Sequence, residues 1–150
     1  HKISDAEIIQ EKIKTFISSI SDLLNLEYKV SLFQTPNSEL ITNDTLRRLF
    51  TNNLKEVGII NVDCCKDIYN GLSIGALSHT TPCINPYMKI TKSDEVYPSE
   101  EFGKSSTTPF AEDIIFKTAQ AVAFTGLDVI EKQDLINEMT SEFYKEGRKH

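Results

Sequence analysis

A helix-rich α+β domain, with about four substantial helices around a small antiparallel sheet, is the fold this sequence predicts. Three observations carry it. Apolar residues recur at helical spacing over residues 4–25 and 44–57. A nearly continuous apolar run follows Pro109. Between them lie short segments that alternate apolar and polar, as a half-buried strand does. At 150 residues the chain fits one domain, 1–150, able to bury a core without a disulfide or metal staple.

The first helix is expected over residues 4–25. Ser4 can cap it, and Glu7 stands where a capping-box partner belongs. Ile9, Ile13, Phe16, Ile17, Ile20, Leu23 and Leu24 share one face. Tyr28-Lys29-Val30-Ser31-Leu32 then alternates as a strand, and Thr35-Pro36-Asn37-Ser38 reads as a turn. Leu40-Ile41 begins a return strand or a short helical turn.

The second helix is expected over residues 44–57, capped by Asn43. Leu46, Leu49, Phe50, Leu54 and Val57 form its buried stripe, and Gly58 stops it. Residues 59–62 follow as a strand. Asn70-Gly71 suits a two-residue hairpin or the end of a short helix over 64–69, with Leu72 and Ile74 alternating beyond it. Residues 78–109 hold four of the chain's prolines and many Ser and Thr, which predicts a long irregular loop. A short strand at 87–90 fits within it. Pro109 suits the first position of a third helix, whose apolar run predicts a buried, central element ending at Gly126. A last helix starts near Asp128 or Glu131 and uses Leu135, Ile136, Met139 and Phe143, with Gly147 as its exit. Ile13, Phe16, Ile20, Leu49, Phe50, Ile115, Val122 and Leu135 are expected to be buried together.

The formal net charge of −6 argues against broad nucleic-acid binding, which needs a basic field. No apolar stretch approaches the length of a membrane span, and no basic-then-apolar leader follows His1. Three cysteines is an odd count and points to a reducing compartment, with the sequon Asn43-Asp44-Thr45 as the opposing sign. The expected setting is therefore intracellular, cytoplasmic or nuclear, and the domain reads as a piece of a longer protein.

Few residues suggest chemistry. Cys64, Cys65, His79 and Cys83 are metal-ligating types, yet adjacent cysteines on a strand point to opposite sides and no paired C-x-x-C spacing occurs. Small buried residues are the better reading, so no metal is expected. A cysteine nucleophile with His79 as base and Asp63 or Asp67 as orienter lacks any local signature. Gly103-Lys104-Ser105 matches the end of a phosphate loop, but Pro98 stands where the first glycine belongs. Glu112-Asp113 has a structural role at a helix start. No catalytic residue, metal or cofactor is assigned.

The remaining candidate is the polar face of the second helix. Arg47, Arg48, Asn52 and Lys55 lie off its apolar stripe, and Arg48, Asn52 and Lys55 fall on one line at i, i+4, i+7. Helix, Gly58, strand and Asn-Gly turn, in that order over residues 36–78, resemble the second half of a winged helix. That resemblance implies a recognition helix that meets DNA or protein. Residues 12–42, with helix, strand, polar turn and Glu39-Leu40-Ile41-Thr42, resemble the entry to small-molecule sensor domains, which implies a sheet of five or so strands. The leading expectation is a non-enzymatic protein-protein interaction or regulatory module, with another protein or subunit as partner and Arg47, Arg48, Asn52 and Lys55 as the binding face. A nucleic-acid-binding winged helix is the alternative, and a ligand sensor the next; no membrane partner is expected.

Overall fold

A computed structural model gives the structure of the protein; it describes residues 3–32, 34–63, 72–92 and 97–147. Among them are the helices α1 (Ile3–Leu24), α2 (Asp44–Glu56), α3 (Gly75–Ser78), α4 (Glu100–Ser105), α5 (Pro109–Glu131) and α6 (Gln133–Gly147). The chain divides into two compact units, His1–Ile41 with Asp67–Thr80, and Thr42–Lys66 with Thr81–His150.

The first unit is built on α1. Its start differs from the expected Ser4 cap: the helix already includes Ile3, whose N–H donates to Glu39 Oε2 at 3.0 Å. A carboxylate there both satisfies an orphan donor and complements the helix dipole. At the other end Asn25 takes a left-handed φ of 51°, a conformation Asn tolerates better than most residues. The Leu26 N–H returns to the Ser21 carbonyl at 2.9 Å, and the Ser21 hydroxyl donates to the Leu26 carbonyl. Residues 38–41 run against α3. Ile41 N–H donates to Ser78 Oγ at 2.9 Å, and Ser78 Oγ donates to the Gly75 carbonyl at 2.6 Å. A Cβ on Gly75 would stand 2.0 Å from the Ser38 carbonyl oxygen, so only glycine fits.

The second unit is a helical bundle. α2 packs against α5 and α6, and α5 against α6. Asn43 caps α2 as its sequence position suggests, accepting from Leu46 N–H at 2.9 Å. Gly58 ends the turn at φ +91°, the left-handed position expected of it. Phe50, Leu54 and Ala121 form the core, with Val57, Ile59, Ile84 and Met88 packed around them. Thr108 caps α5 by accepting from Ala111 N–H at 3.3 Å, and Pro109 opens the helix.

The predicted antiparallel sheet is not found. Among the described residues no strand forms, and the ladder contact present is an isolated parallel bridge between Thr42 and Cys83. Residues 28–32, 59–62 and 87–90 carry strand-like sequence but have no paired neighbour among the described residues. A strand exists only through the hydrogen bonds of its neighbour, so alternation alone cannot create one. The fold is therefore helical and not α+β. The winged-helix resemblance needed strands after α2 and the sensor resemblance a sheet after α1, and among the described residues neither forms. The Asn70-Gly71 hairpin and the 64–69 helix lie outside the described residues. Leu72 and Ile74 precede α3 rather than a strand, with Gly75 N–H bonded to the Leu72 carbonyl at 2.8 Å.

Two further expectations are corrected. α5 continues through Gly126 to Glu131, because one glycine inside a helix costs only about 1 kcal/mol and the flanking turns are held by α2. The co-buried set also fails in part. Phe50 is 4% exposed, but Ile13, Phe16, Ile20, Ile115 and Val122 are exposed, and Leu49 and Leu135 are only half-buried. Burial on α5 falls to Ala111, Ala121 and Thr125, small side chains that let α2 approach closely. Within the expected loop 78–109, Ser99 caps α4 by accepting from Phe102 N–H at 3.1 Å.

Candidate functional site

The predicted binding residues sit on α2, but the structure does not leave them as one open basic face. Arg47 Nε donates to Asp44 Oδ1 at 2.9 Å, and its guanidinium pairs with the same carboxylate. Arg48 reaches across to α6, where Nη2 donates to Glu138 Oε1 at 2.7 Å and to Thr45 Oγ1 at 3.2 Å. Asn52 and Lys55 are exposed. Two of the three cations are thus matched with carboxylates, which weakens any attraction of this face for phosphate.

The richest polar constellation lies at the start of α2, against α6. Asn43 Nδ2 donates to the Met139 carbonyl at 3.1 Å. The Glu142 carboxylate accepts from Thr45 N–H at 2.9 Å and also from Asp44 N–H. Glu142 thereby fills the anion position that a helix N-terminus offers. Glu138, one turn earlier, takes Arg48 and lies 3.3 Å from Thr45 Oγ1. The group as a whole binds α6 to the start of α2, and its carboxylates show the geometry by which this surface holds a guanidinium.

A second cluster joins α2 to α5. Buried Asn53 donates from Nδ2 to Thr125 Oγ1 at 3.1 Å and to Asp128 Oδ2 at 3.0 Å. The Thr125 hydroxyl in turn donates to the Ala121 carbonyl at 2.7 Å. Hydrogen bonds from Lys132 and then Asn53 hold the Asp128 carboxyl below its ordinary range. The sequence reading selected Asn52 and missed Asn53, although Asn53 falls in step with Leu46, Phe50, Leu54 and Val57.

The other chemical candidates fall in different units or are tied down. His79 Nε2 lies 3.2 Å from the Glu39 carbonyl and 3.9 Å from Glu39 Oε1, within the first unit. Cys83 is a buried free thiol of the second unit, pushed up from its ordinary pKa by burial, which makes it a poor nucleophile. Cys64, Cys65 and Asp67 lie outside the described residues, so their place relative to His79 and Cys83 is not described. Among the described residues no three His, Cys, Asp or Glu side chains gather as a metal site would require. Lys104 pairs with Glu100 at 2.7 Å within α4, and Asp113 with Lys117 at 2.6 Å within α5. No helix among the described residues is long and apolar enough to cross a membrane.

No protein-family model matches the chain. Over 110 residues the chain is 33% identical to a Mus musculus protein named Xaa-Arg dipeptidase. The match takes in 69% of this chain and 25% of that protein's length. The chain thus spans about a quarter of the curated relative it matches. The expectation of a chain unrelated to catalysis is overturned by this match, because the protein it is similar to is an enzyme.

Proposed function

We propose that the chain is the helical part of a dipeptidase-like enzyme whose substrates end in arginine, and that it organises the enzyme rather than carrying the bond-breaking groups. The identity of 33% over 110 residues to Xaa-Arg dipeptidase is the observation that carries this reading. An assembly role agrees with how the polar groups are used. Arg48, Asn53, Glu138 and Glu142 hold α2, α5 and α6 together.

The apolar surface of α5 supports the same role. Ile115, Phe116, Val122, Leu127 and Ile130 are exposed, and Phe116, Leu127 and Ile130 fall on the side of the helix away from Ala121 and Thr125. A helix that is apolar all round belongs inside a larger body. In the relative, three quarters of the sequence lie outside the match, and the equivalent part of a longer protein is what covers this face.

The test assays a longer protein carrying this chain for release of free arginine from the dipeptide Lys-Arg. Release is expected, with Lys-Ala cleaved more slowly. A folded protein that releases no arginine would overturn the proposal.

A further inference from the structure

Asn43-Asp44-Thr45 is the one N-x-Ser/Thr triplet in the chain, the pattern that accepts an N-linked glycan. Such a glycan is bulky and belongs on a surface. The fold puts the triplet elsewhere. Asn43 is 4% and Thr45 5% exposed, where the start of α2 meets α6.

Every polar group of Asn43 is committed. Its Nδ2, the atom a glycan would take, donates to the Met139 carbonyl at 3.1 Å. Its Oδ1 accepts from Leu46 N–H at 2.9 Å. The main-chain N–H donates to the Cys83 carbonyl, and the main-chain carbonyl accepts from Arg47 N–H, each at 2.9 Å. The side chain therefore cannot swing outward without loss of both the α2 cap and the bond to α6. The hydroxyl of Thr45, the other residue that defines the triplet, accepts from Arg48 Nη2 at 3.2 Å. The partners on α6 come late in synthesis. Met139 follows Asn43 by 96 residues, or about 5–20 s at the ribosome. For that interval Nδ2 is open.

We propose that Asn43 is a glycan acceptor only before α6 docks, and that a glycan there excludes the native contact between α2 and α6. The donor is an oligosaccharide linked to a lipid pyrophosphate. The bond from Nδ2 to the sugar C1 forms, and the bond from C1 to the pyrophosphate oxygen breaks. The lipid pyrophosphate leaves with the electron pair, and Nδ2 gives up one proton to the transferase. Asn43 keeps its second N–H, but the sugar ring on the same nitrogen has no room beside Met139, itself 5% exposed. Glycan and fold are alternatives at this position, and the order of the two events decides the state of the chain.

The test expresses the full chain in eukaryotic cells behind a secretory leader, with the same chain from a bacterial cytosol as the reference that carries no glycan. Both are unfolded in urea and returned to one reducing buffer, so that cysteine oxidation does not separate them. The first should carry one glycan, seen as a single gel shift that peptide N-glycosidase reverses. Hydrogen exchange by mass spectrometry over residues 43–48 then reads the contact, since the N–H groups of Asp44 and Thr45 are bonded to Glu142. Exchange there should be at least about tenfold faster in the glycosylated chain than in the reference. Equal protection in the two samples overturns the proposal, because glycan and contact would then coexist. A chain that leaves the secretory route without a glycan overturns it too, because Nδ2 would then never be open to the transferase. A reference without protection at Asp44 and Thr45 removes its premise. None of these outcomes bears on the dipeptidase reading, which the arginine-release assay decides separately.

Discussion

α1 and α2 are written in the same way and end differently. Each has apolar residues at helical spacing along one face and polar residues along the other. α2 buries Thr45, Phe50, Asn53 and Leu54. α1 buries Ser21 alone among its residues, and leaves Phe16 66% exposed. The physical cause lies beyond either helix. α2 meets small side chains on α5, where Ala121 and Thr125 leave room for its aromatic and leucine. Periodicity states which face of a helix seeks an apolar partner. It does not state whether that partner is in the same chain.

The comparison breaks most sharply at Phe50. Phe50→Ala should cost about 3–5 kcal/mol, because its site is closed on all sides. Chemical denaturation followed by far-UV circular dichroism reads that loss. A cost near zero would mean that the α2 contact with α5 is not a packed core.

The first unit has its own tight point. Gly75→Ala should destabilise by about 1–3 kcal/mol, since the new Cβ overlaps main chain at Ser38 and no flexible side chain can yield. Its effect should appear as faster hydrogen exchange at Ile41, whose N–H donates to Ser78 Oγ across the contact. Unchanged exchange there would show that residues 38–41 do not rest on α3.

Neighbouring asparagines on α2 sharpen the contrast between inner and outer faces. Asn53→Ala removes the donor to Thr125 and Asp128 and should cost about 1–3 kcal/mol. Asn52→Ala, on the exposed face, should stay within about 0.5 kcal/mol. Equal effects in the same melts would place the two residues in like environments, against the structure.

Asp128 adds a pH signature. Its folded carboxyl is held below the ordinary value of 3.8, so the folded state favours its charged form. The resulting stability is fully present above that ordinary value and is lost as pH falls through the folded one. The stability gap between the protein and Asp128→Asn should therefore narrow as pH drops from about 5 to about 2. A gap that widens with acid would reverse the assignment.

These same elements show what the sequence could disclose. Local chemistry was legible: Asn43 as a cap, Gly58 as a left-handed stop and Pro109 as a helix opener are all placed where short-range rules put them. Pairing over distance was not. Arg48 with Glu138, and Asn53 with Thr125, depend on which helix lies beside α2, and no spacing along the chain encodes that. The strand-like segments failed for the same reason, since alternation in residues 28–32 names a face but supplies no neighbour. Gly126 misled because a glycine stops a helix only when the chain there turns left-handed.

The most direct test of the contrast between α1 and α2 is the urea melt of Phe16→Ala beside that of Phe50→Ala. With Phe16 largely in solvent, its loss should change the unfolding free energy by less than about 1 kcal/mol, while Phe50→Ala costs several times more. A loss of about 3 kcal/mol or more at Phe16 would show that the apolar face of α1 is packed within this chain, and would contradict the account.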